Sequence, residues 1–294
     1  MSPGITAPGF RLPADVRVGA VSLQVADLDR SLGFYETVLG FRALARDDTA
    51  GGRSARLGAQ GDSRVLLELH EKPGARPVPR RGRLGIYHFA ILLPTRQDLG
   101  RFLRHATALG VHVGSSDHLV SEALYLVDPD GITVEVYRDR SRSEWTYENG
   151  EMVIGILPLD GQALIAAADG QPWRGLPQGT TVGHMHFYVG EIASAEAFYH
   201  AALGFDKVAW SLPGMLFVSA GGYHHHVGLN TWAAGSPIAT DDDARLLFWE
   251  LVLPNQASAA AAAESLRRAG YGVTASEEAF LARDPWRITV RLRQ

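Results

Sequence analysis

His118, Tyr125 and Glu135 are spaced around the turn signal Asp128-Pro129-Asp130-Gly131, and these side-chain types suit metal-assisted acid/base chemistry. The residues before the turn, ALYLV, and after it, ITVEVY, have strand composition, so the turn folds two strands side by side. Period-two alternation places Ser121, Ala123, Tyr125 and Val127 on one face of the first strand, and Thr133, Glu135 and Tyr137 on one face of the second. Val134 and Val136 point the other way. A carboxylate among strand residues this apolar is costly to bury unless a cation receives it, and His118 and Tyr125 supply hydrogen-bonding groups beside it.

Composition limits what kind of chain holds this run. With 294 residues, 46% hydrophobic and 20% charged, it has enough apolar material for a substantial core in one or two domains. The formal net charge is −4, and the one short basic run, RDRSRS at 138–143, lacks interleaved aromatics; it reads as a solvated linker, and a nucleic-acid partner is not expected. The start, MSPGITAPGFRLPAD, has no basic segment followed by an apolar core, and no stretch reaches the roughly 20 apolar residues of a spanning helix. The expectation is a cytoplasmic protein with no membrane partner. Because cysteine is absent, disulfides, thiolate ligands and a cysteine nucleophile are excluded, which leaves histidine nitrogen and carboxylate oxygen for any metal. No phosphate-cradling glycine loop or Gly-x-Ser-x-Gly elbow is present.

Internal repetition indicates the elements that must position these residues. GAVSLQVADLDRSLGFYETVLGF at 19–41 returns as GHMHFYVGEIASAEAFYHAALGF at 183–205, with Gly19, Val25, Phe34, Tyr35, Leu39, Gly40 and Phe41 matched by Gly183, Val189, Phe198, Tyr199, Leu203, Gly204 and Phe205. Each copy reads strand, amphipathic helix, glycine stop, then strand. A second family alternates with the first: YHFAILLP at 87–94 is echoed by FWELVLP at 248–254, and LVDPDGITVEVY at 126–137 by LARDPWRITVRL at 281–292. The chain therefore divides into four βαβββ modules at 14–74, 82–139, 179–236 and 244–294. A connector at 140–178 is expected to carry a short helix near ALIAAA.

The run from His118 to Glu135 resembles the signature of extradiol ring-cleavage dioxygenases, of the catechol 2,3-dioxygenase kind, in the vicinal oxygen chelate superfamily of glyoxalases, antibiotic-binding proteins and dioxygenases. It matches at His118, Leu124, Tyr125, Asp128, Pro129, Gly131 and Glu135; LGIYHFAILLP and SAGGYHHHVGLNTW extend the likeness over nearly the whole chain. The resemblance implies an α+β fold in which βαβββ modules pair into two cupped mixed-sheet barrels, with ligands from the first strands of two modules and the last strand of one. At those positions modules two and three offer His88, His184 and Glu135, whereas modules one and four offer Ala20, Phe248 and Arg291. Modules two and three are thus expected to pair around the metal, leaving modules one and four as a supporting barrel without one. Two imidazoles and a carboxylate suit non-haem Fe(2+), and manganese is accepted by the same donors.

The same resemblance gives His225, the middle histidine of Tyr223-His224-His225-His226, a place beside the oxygen-binding position as an acid/base. His118 and Tyr125 would donate hydrogen bonds to the substrate as charge develops. His186 would stand behind the ligands, and His224 and His226 would be structural or bonded to the connector. The implied partners are a catecholic small molecule and O2, and a homo-oligomer is compatible with the pattern. Two other functions fit the same fold. A glyoxalase-like metal lyase or isomerase wants a second carboxylate where the chain reads VGLN, and a metal-free small-molecule binder has no use for the His-Tyr-Glu run. Glu250 lies off the ligand register and is read as a core or interface carboxylate.

Overall fold

The fold is described from a computed structural model covering residues 3–49, 51–276 and 278–294. Four repeats of strand, helix and three strands account for nearly all of it. The first module contributes β1 (Arg17–Val25), β2 (Arg42–Thr49), β3 (Gly52–Gly58) and β4 (Leu67–Glu71), and the second contributes β5 (Gly85–Leu92), β6 (Gly114–Asp117), β7 (Ser121–Val127) and β8 (Thr133–Asp139). A small hairpin, β9 (Tyr147–Glu148) and β10 (Glu151–Met152), lies in the connector. The third module supplies β11 (Thr181–Tyr188), β12 (Asp206–Ala209), β13 (Met215–Ser219) and β14 (Val227–Asn230). The fourth supplies β15 (Arg245–Val252), β16 (Val273–Ala275), β17 (Ala279–Arg283) and β18 (Thr289–Arg293).

These strands form two eight-stranded sheets. One has the order β12-β13-β14-β11-β5-β8-β7-β6, the other β16-β17-β18-β15-β1-β4-β3-β2. First strands meet antiparallel at the centre of each sheet, β5 with β11 and β1 with β15, and each runs parallel to the last strand of its own module. The helices α1 (Leu28–Gly33), α2 (Arg96–Ala108), α4 (Ile192–Glu196) and α5 (Gln256–Arg268) are the crossovers that such parallel pairs require. Helix α3 (Gly161–Ala166) falls on the ALIAAA stretch of the connector. In the first and third modules the helix continues as a π-helical turn, Phe34–Val38 and Ala197–Ala202, which points Tyr35 and Tyr199 into the core.

Those two tyrosines tie the sheets together through the turns that follow β7 and β17. Asp128 accepts hydrogen bonds from the backbone N–H groups of Asp130 and Ile132 and, across the sheet boundary, from the Tyr35 hydroxyl at 2.8 Å. Asp284 does the same with Trp286, Ile288 and Tyr199, the last at 3.1 Å. Asp130, fully buried, adds an ion pair with Arg30 and accepts from the Ala26 N–H. Gly131 is required where it stands: its φ is +89°, and a Cβ there would lie 2.1 Å from the Val78 carbonyl oxygen. The DPDG turn thus does two jobs, since it closes a hairpin and docks it on the other sheet.

The RDRSRS run departs from the solvated linker its composition suggests. Arg138, the penultimate residue of β8, lies directly opposite Glu122 of β7, and this cross-strand register gives an ion pair at 2.8 Å. Arg140 pairs with Asp117 at 2.6 Å.

Burial pushes the carboxyls of both Asp128 and Asp284 up to about 7, against hydrogen bonds that favour the ionised form. An unfolded aspartate ionises near 4, so between about pH 4 and about pH 7 the folded protein holds protons that the unfolded chain has released. The stability these groups contribute is complete below about pH 4 and is lost as pH rises to about 7. Asp284→Asn mimics the protonated carboxyl, with Tyr199 accepting from the new amide. Calorimetry from pH 4 to 7 should show a shallower fall in Tm than in the wild type, and an unchanged slope would refute this titration.

Candidate metal centre and its surroundings

The central strand pair sets the geometry of the site. In the β5/β11 register His88 lies opposite His186 and Ala90 opposite His184, while on the other side of β5 Ala90 pairs with Glu135 of β8. Ala90 therefore forms a small floor with His184 and Glu135 on its two sides, and His88 projects from the same face two residues away. Their ligand atoms all lie within 4.8 Å of one another. Glu135 Oε2 stands 3.0 Å from His88 Nε2 and 3.2 Å from His184 Nε2, and the three residues are at most 3% exposed. His184 can sit this close because its neighbour is Gly183, where a Cβ would lie 1.7 Å from the Tyr137 hydroxyl oxygen.

The electrostatics fit a cation. Burial lowers the pKa of His88 and His184, so both imidazoles are neutral. Burial opposes ionisation of Glu135 as well, but the adjoining His184 and His88 outweigh it and hold the carboxyl well below its usual range. A carboxylate is thus buried with neutral partners. Both ring nitrogens of His88 and Nδ1 of His184 have no hydrogen-bond partner, although His88 Nε2 is within 3.0 Å of the carboxylate. At that distance the ring is not aimed along a hydrogen bond. Each buried orphan costs about 1–3 kcal/mol, and a cation held in common by Nε2, Nε2 and Oε2 would satisfy the donor set.

Strand β14 supplies no fourth ligand. On β14 the residue beside His186 is Gly228, which occupies the place that Glu135 takes beside Ala90. A Cβ at Gly228 would lie 2.8 Å from His186 Nδ1. His186 itself is turned away to Asn230, whose Nδ2 is 2.9 Å from its Nε2.

The other predicted residues surround this cluster. The His225 ring centroid is 4.2 Å from that of His184. Tyr125 is the cross-strand partner of Glu135, and its ring lies 5.7 Å from that of His88. His118 Nδ1 donates to the Gly155 carbonyl at 2.6 Å, which leaves Nε2 to share a 2.7 Å hydrogen bond with the Tyr125 hydroxyl. The tract 223–226 lies in the turn before β14, inside the protein, with all three histidines buried. His226 accepts from the Ala220 N–H and lies 3.1 Å from the Ser219 hydroxyl, and His224 bonds to Asp139 rather than to the connector. Asn230, Asp139 and Gly155 were not singled out from sequence. Asn230 was within reach, because VGLN places it on the same strand face as Gly228.

In the other sheet the equivalent positions hold Ala20, Phe248 and Arg291, and Glu250 stands where Ala90 does. Glu250 accepts from the Ala20 N–H at 3.1 Å and faces Arg293 at 3.3 Å and Arg291 at 3.7 Å. Its partners are internal to that cup, so no cation is called for there.

Comparison with known proteins gives the family. The chain belongs to the Glyoxalase/Bleomycin resistance protein/Dioxygenase superfamily, whose family model matches residues 17–136, and it is an extradiol-type dioxygenase. It is 42% identical over 275 residues to a catechol-2,3-dioxygenase of Bacillus subtilis (strain 168), covering 92% of this chain and 94% of the relative. Among solved structures, a Bacillus subtilis protein assigned as a dioxygenase superposes with a TM-score of 0.68 at 13% identity, over 97% of this chain and 86% of the other. Glyoxalase I from Zea mays gives 0.58 at 17% identity, over 95% and 92%. These distant structures share the fold. No helix among the described residues is long and apolar enough to cross a membrane.

Metal content tests the cluster. Anaerobic loading with Fe(II) should leave one ion per chain, and His184→Ala or Glu135→Ala should weaken binding by at least roughly a hundredfold. Ala90→Leu, which changes no ligand, should do the same by filling the floor, at a stability cost of about 1–3 kcal/mol. Full occupancy in Ala90→Leu would contradict the placement.

Proposed function

We propose that the protein is an Fe(II)-dependent extradiol dioxygenase that opens catechol or a small substituted catechol with O2 to a ring-opened semialdehyde. The observation that carries this reading is a buried His88-Glu135-His184 set that stops at three ligands, because Gly228 and His186 fill the place of a fourth. That arrangement leaves open positions for two substrates. It also weighs against a glyoxalase-like isomerase, which would draw a second carboxylate from β14. The name of the 42% identical relative supports the same reaction. A bound ion of this kind, iron or manganese, lowers the pKa of a catechol hydroxyl and gathers both substrates at one point.

The surrounding residues handle the protons and the orientation. His225, neutral because burial holds its pKa well down, takes the proton from a catechol hydroxyl and returns it later in the turnover. His118 is pinned by the Gly155 carbonyl, so its Nε2 faces the Tyr125 hydroxyl. When Nε2 is unprotonated it holds the phenolic hydrogen. When it gains a proton it donates to the phenol oxygen and frees that hydrogen for the substrate. The pair therefore answers developing negative charge without moving a side chain. Tyr87, Tyr188 and Trp232, packed around His186, present aromatic surface that suits a planar ring. The absence of cysteine fits work in a reducing cytoplasm.

Catechol and air added to the Fe(II)-loaded protein should consume oxygen and give a yellow semialdehyde. His118→Phe and Tyr125→Phe should keep their iron while turnover falls roughly a hundred- to thousandfold. Metal-loaded protein that takes up no oxygen across a panel of catechols would overturn the assignment.

A further inference from the structure

Three groups beside the site are linked by hydrogen bonds whose direction is dictated at one end. Asp139, the last residue of β8, places Oδ1 2.8 Å from His224 Nε2. On the far side of the same ring, His224 Nδ1 lies 2.8 Å from His225 Nδ1. A carboxylate only accepts, so His224 Nε2 carries hydrogen. With a single hydrogen on the His224 ring, the other nitrogen has the lone pair and His225 Nδ1 is the donor. His225, neutral in turn, is left with its lone pair on Nε2, a nitrogen with no protein partner among the described residues.

The setting is built to hold that order. His224 is fully buried and packed between Tyr223, at 4.1 Å between ring centroids, and Trp145, at 5.5 Å. The Tyr223 hydroxyl donates to the same Asp139 Oδ1 at 3.2 Å and lies 2.6 Å from the Tyr137 hydroxyl. Tyr137 is the residue that Gly183 admits beside His184. Asp139 thus organises both His224 and the tyrosine pair.

We infer that Asp139 and His224 are positioning residues that fix the tautomer of His225, keeping its hydrogen on Nδ1 and its Nε2 free to accept a substrate proton. This rests on the reading of His225 as the acid/base of the ring-cleavage reaction. A carboxylate that acts through one imidazole commonly sets tautomer and orientation; here a second imidazole is interposed, and the run Tyr223-His224-His225 acquires a use for its two histidines.

The test reads the tautomer directly. In protein labelled with 15N-histidine and loaded with Zn(II) as a diamagnetic ion, long-range proton–nitrogen correlation should show His225 protonated on Nδ1. Asp139→Leu, which cannot accept, should release that preference. It should also lower kcat for catechol roughly ten- to a hundredfold, with KM and metal content unchanged. Asp139→Asn should restore both, because His224 and Tyr223 share one oxygen that the amide carbonyl can supply. His225 protonated on Nε2 in the wild type would overturn the inference, whatever the enzyme does with catechol, as would wild-type kcat in Asp139→Leu. If catechol is not turned over, the NMR readout still decides the relay, so the two proposals fail separately.

Discussion

One buried carboxylate places a demand on the rest of the molecule. Glu135 is 2% exposed, ionised, and faced by two imidazoles that burial keeps neutral. A desolvated charge with no counter-charge costs several kcal/mol, and the protein holds it by surrounding it with strands that cannot move apart. Antiparallel pairing of β5 with β11 fixes His184 against Ala90, parallel pairing of β5 with β8 fixes Glu135 on its other side, and Gly183 lets Tyr137 brace the histidine. The site is an unbalanced charge in a rigid frame, and a cation is what balances it.

The second sheet shows what the same frame does when that demand is removed. Arg291 stands at the Glu135 position, Phe248 and Ala20 replace the imidazoles, and Glu250 fills the floor while accepting from Ala20 and facing Arg291 and Arg293. Charge is balanced within the cup, and the sheet serves as support. Support is literal here, since Tyr35 and Arg30 of that half reach Asp128 and Asp130 in the turn that leads into β8. The turn that positions Glu135 is therefore held from outside its own sheet.

Much of this was legible in the sequence because the repeats align equivalent residues with one another. Superposing four modules brings His88, His184 and Glu135 to matching strand positions, and period-two alternation states which face each one shares. Spacing could not say that Gly228 is blocked by His186, since that depends on a ring orientation across two strands. Nor could it place Asp139, which sits in a basic run whose composition reads as solvent-facing. The reason is register: Arg138 falls opposite Glu122, so the chain stays in the sheet one residue longer and carries Asp139 to His224. The histidine tract depends on tertiary contacts in a similar way. Its residues precede β14; His224 joins Asp139 to His225, and His226 bonds to Ser219.

The claim that Glu135 is a buried charge held for a cation is tested most directly by the melting temperature of wild type and Glu135→Gln, each with and without Fe(II). With its amide nitrogen in the place of Oε2, the glutamine can donate one hydrogen to His184 Nε2 and the other to the orphaned Nε2 of His88. The account predicts that metal-free Glu135→Gln melts no lower than the metal-free wild type. Fe(II) at about a hundred times its dissociation constant should then raise only the wild type, by about 2.7 kcal/mol of stability. A metal-free variant that melts several degrees below the wild type, with neither protein responding to Fe(II), would contradict it.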